Sequence, residues 1–108
     1  MALPLTKIEK HLKEYTDPDD LVAVEVVDRY IELIRTYRQM QRIIKKDGIR
    51  VITINGHQEF IKAHPLITEM RKIDSQLINL KRDIDKHIED YAEKQKRDAA
   101  EYQADDLM

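Results

Sequence analysis

The chain has 108 residues, with 19 Lys and Arg against 21 Asp and Glu, a net charge of −2 at neutral pH, 37% charged residues and 6% aromatics. That length allows one domain, and so much charge beside so few aromatics leaves a thin core for a single protomer. Zero cysteines exclude a disulfide framework, a thiolate metal site and a cysteine nucleophile.

A first helix is expected over residues 5–15, where Leu5, Ile8, Leu12 and Tyr15 recur three or four apart. Lys7, Lys10 and Lys13 fall on a neighbouring face. Nothing ahead of it is apolar for long enough to act as a signal peptide, and no later stretch approaches a membrane span, so the expected location is cytoplasmic. Residues 16–20, Thr-Asp-Pro-Asp-Asp, then break the chain. Asp17 reads as an N-cap, Pro18 as the first helical residue, and Asp19 and Asp20 as carboxylates at the positive helix end.

The second helix is expected over residues 18–46. Val27, Tyr30, Ile34, Tyr37 and Ile44 form its apolar row, widened by Leu33, Met40 and Ile43. It closes on Lys45-Lys46-Asp47-Gly48, with cations where free carbonyls gather and a glycine just past the end. Residues 48–65 then carry a short β-hairpin signal, with β-branched residues before Asn55-Gly56 and Phe60-Ile61 after it. Asn-Gly suits a type I′ turn. A lone two-stranded hairpin is marginal in water, so this one is expected to pack against something.

Pro65 opens the third and longest helix. Leu66, Met70, Ile73, Leu77, Leu80, Ile84, His87 and Tyr91 follow a 4-3-4-3 spacing, with Ile67, Ile78 and Ile88 alongside, which is the pattern of a helix–helix seam. Past Tyr91 the stripe fades, and residues 98–108 read as an acidic, mobile tail. The expected fold class is therefore mainly α: a short N-terminal helix, then a long antiparallel helical hairpin whose two helices are linked by a β-hairpin, oligomeric through its uncovered stripes. The whole is one domain, divided into the helix of 1–16, the oligomerisation core of 17–97 and the tail of 98–108.

Few residues suggest chemistry. The only glycines, Gly48 and Gly56, make no phosphate loop, and no nucleophile or zinc motif is present. Asp83 and His87 share a helical face, and His57 and His64 flank the second strand. His87 reads more simply as a polar residue fixing the register of the seam. No catalytic residue, metal or cofactor is expected.

Charge is more informative. Residues 29–50 hold seven cations against Glu32 and Asp47, whereas residues 83–108 hold nine carboxylates against four cations. The two ends either meet separate partners or pair with one another. Within the basic stretch Arg35, Arg38, Arg42 and Lys45 line one helical face, and Lys46 and Arg50 extend it. Such a row can track phosphates, with guanidinium forks for bidentate contacts, or can be a solvated face paired with carboxylates.

The order of these elements resembles a family. Tyr30-Ile31-Glu32-Leu33-Ile34-Arg35-Thr36-Tyr37-Arg38, Lys46-Asp47-Gly48-Ile49-Arg50-Val51, Asn55-Gly56, and His64-Pro65-Leu66-Ile67 leading into Met70-Arg71-Lys72-Ile73 are similar, in order and spacing, to the small subunits of bacteriophage terminases. The resemblance covers a little over half of the chain, over residues 30–86. This chain has His64-Pro65 where the family tends to have Asn-Pro, a shorter N-terminus, and an acidic rather than basic C-terminus.

The resemblance implies a non-enzymatic subunit in the bacterial host cytoplasm. It would assemble as a homo-oligomeric ring, bind double-stranded viral DNA and deliver it to the large subunit that holds the ATPase and nuclease. The candidate DNA contacts are then Lys7, Lys10, Lys13, Arg35, Arg38, Arg42, Lys45, Lys46 and Arg50. The candidate oligomerisation residues are Leu66, Met70, Ile73, Leu77, Leu80, Ile84, Ile88 and Tyr91. The acidic tail is the expected contact with the large subunit. The alternative is a helical adaptor that dimerises through its C-terminal helix and never touches DNA, and no membrane or small-molecule partner is expected.

Overall fold

The computed structural model describes residues 3–48, 50–55 and 58–106, with side chains described in 3–48 and 64–102. Three helices make the body: α1 (Leu5–Glu14), α2 (Leu21–Asp47) and α3 (Leu66–Asp106). Thr16 closes the end of α1, its buried Oγ1 donating to the Leu12 carbonyl at 2.7 Å. The second helix starts later than its sequence suggests. Asp17 spends its carboxylate on the Asp19 N–H (2.9 Å), making a side-chain turn, and Asp20 becomes the cap by accepting from the Ala23 N–H at 3.2 Å. Gly48 ends α2 as expected, at φ 88°, where its N–H reaches the Ile44 carbonyl at 2.7 Å.

The two long helices run antiparallel. Asp20 at the head of α2 lies 3.8 Å from His87, and Asp17 lies 3.8 Å from Lys94, while Ile44 near its tail shares a recess with Ile67 and Met70. A short α1 crosses back over α2. Leu12, Val27, Ile31 and Ile84 form the buried core, with Ile8, Val26, Tyr30 and Ile88 packed around it. The molecule is a rod of 88 × 22 × 18 Å with a radius of gyration of 21.6 Å, against roughly 13 Å for a compact chain of this length. A rod of that shape cannot cover its own apolar stripes.

The expected fold class is corrected on its linker, while its mainly α character stands. The packed body is all-helical: α1 lies on α2 and α2 on α3, and among the residues whose side chains are described the buried cluster draws on those helices. The expectation that the linking segment packs against something is what fails: it adds no layer to the helical body. The segment between them pairs with itself, β1 (Arg50–Asn55) antiparallel to β2 (Gln58–Ala63), and neither strand packs extensively on a helix. The expected Asn55-Gly56 turn falls partly on residues outside those described. Asn55 stands opposite Gln58 as a paired strand residue, and no described non-glycine residue has a positive φ. Gly56 and His57 lie outside the described residues.

The physical reason is a direct clasp between the helix ends. His64, 8% exposed, places Nε2 3.1 Å from Asp47 Oδ2 at the end of α2, and its Nδ1 accepts from the Leu66 N–H at 3.2 Å at the start of α3. With Nδ1 accepting, the neutral ring carries its proton on Nε2 and donates to Asp47. The imidazole thus caps one helix while holding the other. Replacing His64 by Ala strands an N-terminal donor and frees Asp47. We expect a loss of about 1–3 kcal/mol in urea unfolding, with His64→Asn recovering part of it through the cap.

At its far end α3 continues as helix through residues 98–106, within the stretch expected as an acidic tail. Ala99, Ala100, Glu101, Gln103 and Ala104 are strong helix formers and carry the helix past the end of its apolar stripe.

Candidate nucleic-acid interface

The basic row is a continuation of the face that α1 covers. Val27 and Ile31, buried beneath α1 at 1% and 3% exposure, lie eight and four residues before Arg35. Where α1 runs out, that same face of α2 emerges as Arg35, Arg38, Arg42 and Lys45. The junction is a hydrogen bond from Arg38 Nη1 to the Leu3 carbonyl, 2.7 Å long, which brings the start of α1 against the row.

The candidate cations are not equivalent. Lys13 bridges Glu9 at 2.9 Å and Asp28 at 3.1 Å. These hydrogen bonds, Glu9 first and Asp28 second, raise its pKa above the ordinary lysine value of 10.5. The folded value lies above the unfolded one, so the stabilisation is complete below about pH 10 and fades only as the pH rises through the folded value. Lys13 is therefore charged at any working pH but already committed to two carboxylates. Arg35 is paired with Glu32 one turn earlier, and Arg38 is held by Leu3.

Arg42, Lys45 and Lys46 differ. They are exposed, and among the described residues no carboxylate lies within ion-pair distance of them. Lys45 and Lys46 also stand in the last turn of α2, where the helix carbonyls favour cations. Lys7 and Lys10 are exposed on α1, Lys7 at the edge of an apolar groove. Arg50 begins β1, and its side chain lies outside the described residues.

One further cation joins this surface from a distant part of the sequence. Arg71 of α3 lines a recess with Tyr37 and Ile44, next to Met70, which shares a second recess with Lys45. Only the register of the antiparallel hairpin puts it there. Counting inward from the Gly48 and Pro65 boundaries is the signal that finds it.

The nominated oligomerisation stripe is partly used within the chain. Ile84 is fully buried in the core, at 1% exposure. Leu66, Met70, Ile73, Leu77, Leu80, Ile88 and Tyr91 are all half-buried, covered on one side by the rest of the chain. His87 faces Asp20 rather than its helical neighbour Asp83. No described helix is long and apolar enough to cross a membrane.

In a comparison with protein families, residues 8–97 fit the family model described as phage terminase, small subunit. No curated protein and no solved structure matches the chain.

Proposed function

The chain belongs to the small subunits of phage terminases, which serve phage DNA packaging, and on that premise we propose that it binds viral duplex DNA as a ring and presents it to the large subunit. The observation that supports DNA contact is the surface of Arg42, Lys45 and Lys46, exposed, clear of described carboxylates, and bordered by Arg71. Each chain offers only a few such charges. A closed assembly repeats them around its axis, and weak contacts then add by avidity.

Nothing in this reading asks the subunit for catalysis; hydrolysis and cleavage fall to the large partner. The half-buried stripe of Leu66, Met70, Ile73, Leu77 and Leu80 supplies the association surface, because a rod this thin leaves those side chains half in water.

The test is binding of a labelled duplex by the assembled protein across a salt series. We expect log affinity to fall linearly with log salt, at a slope of about 0.9 per phosphate neutralised. An affinity that does not change between roughly 50 and 200 mM salt, or no binding at all, overturns the assignment. The helical adaptor would then be the better reading.

A further inference from the structure

Past Tyr91 the apolar contacts of the third helix with the body end, the last links being Lys94, 3.8 Å from Asp17, and Arg97 in the same recess. Every described side chain from 92 to 102 is exposed, and yet the backbone is helical throughout. A helical stretch of that length that buries nothing is marginal in water, since short helices draw most of their stability from packing. The arm also has a face to offer. Ala92, Gln95, Ala99 and Tyr102 fall three, four and three apart, an uncharged strip ending in a tyrosine that is 69% exposed. Asp98 borders that strip and Glu101 adjoins the tyrosine.

A complementary feature lies elsewhere on the rod. Both α1 and α3 pack on α2 without packing extensively on each other, which leaves a groove between them. It is lined by Ile8 and Leu12 of α1, by Leu3 just ahead of that helix, by Tyr30 of α2, and by Lys7, His11 and Lys81. The cavity is about 250 Å³ and its lining is mainly apolar, so it has room for an aromatic side chain. Lys7 has no described carboxylate within ion-pair distance, while Lys81 reaches Asp85 on its own helix.

We propose that this groove receives the α3 arm of a second copy, with Tyr102 in the cavity and Asp98 and Glu101 facing Lys7 and Lys81. The chain cannot fill its own groove. Lys81 and Tyr102 lie on one continuous helix, 21 residues apart by their numbers, which at 1.5 Å per residue is about 31 Å. The contact is a helix laid in a groove, with an apolar anchor and oppositely charged borders. It joins two different surfaces, so it propagates from copy to copy and closes when the rotation between copies allows. The inference rests on the self-association proposed for the ring, and it moves Lys7 from the DNA surface to the protein contact.

The absence of cysteine gives a clean test. His11→Cys and Tyr102→Cys proteins, mixed and mildly oxidised, should form the mixed disulfide in preference to either homodimer. Light scattering supplies a second readout. Tyr102→Ala, or Lys7→Glu with Lys81→Glu, should raise the concentration needed for assembly by about tenfold or more. Asp98→Lys with Glu101→Lys should restore the charge-reversed pair.

A wild-type protein that stays monomeric at all concentrations overturns both this contact and the self-association beneath it. An oligomeric wild type that is indifferent to Tyr102→Ala and forms no mixed disulfide overturns the contact alone. So does an unchanged oligomer whose arm deletion releases only the large subunit, which would give the arm to that partner.

Discussion

On the proposed DNA contact, reversing Arg42 and Lys45 to Glu is expected to lower affinity for duplex DNA by about a hundredfold or more, and to flatten the salt dependence by about one slope unit for each phosphate no longer neutralised. The size follows from what these side chains are not doing. Both are exposed and neither meets a described carboxylate, which leaves them open to a phosphate. Two charge-assisted hydrogen bonds at about 1.5–3 kcal/mol each account for such an effect in a single chain, and repetition around an assembly enlarges it.

The controls are the cations already in use. Lys13→Gln removes a side chain held by Glu9 and Asp28, and Arg35→Gln one held by Glu32. Both should bind DNA within a fewfold of wild type. If Lys13→Gln weakens binding as much as the Arg42 and Lys45 pair, DNA lies on a different face of the rod. The comparison is made at matched oligomeric state, because a protein that falls apart releases DNA for another reason.

The helices are largely legible in the sequence because their signals are local. Gly48 past Lys45-Lys46, Pro65 before Leu66 and the 4-3-4-3 stripe of α3 each state a boundary or a face within a few residues. The start of α2 depends on a competition that local signals do not settle. Asp17 and Asp20 can both cap, and Asp17 is consumed by the Asp19 N–H.

The site is legible as composition but not as availability. Sequence shows seven cations in residues 29–50. Only three-dimensional contacts show that Glu32 pairs with Arg35, that Leu3 holds Arg38, and that Arg71 arrives from the other helix. The His64 clasp is equally hidden. In the sequence His64 merely flanks a strand, whereas in the fold it joins Asp47 to the first turn of α3 across 17 residues of chain.

The second large effect separates the core of one chain from the surface between chains. Ile84→Ala empties the centre of the buried cluster, against Leu12, Val27 and Ile31. It should cost about 2–5 kcal/mol, or a fall of at least 8 °C or so in melting temperature for a domain of this size. Because Ile84 is buried within its own chain, that fall should be the same in dilute and concentrated protein. Leu77 sits on the same stripe but is only half-buried. Leu77→Ala should cost little in dilute protein and progressively more as concentration rises, since association stabilises only the folded chain and its contribution grows with protomer concentration. Thermal melts of both variants over a hundredfold range of concentration read the difference directly. Parallel curves for Leu77→Ala and wild type would assign Leu77 wholly to the α2–α3 contact and remove it from the oligomer. A concentration-dependent gap for Ile84→Ala would mean that even the innermost core forms only on association. A rod 18 Å thin makes that a real alternative for its outer turns, but not for a residue enclosed by three helices.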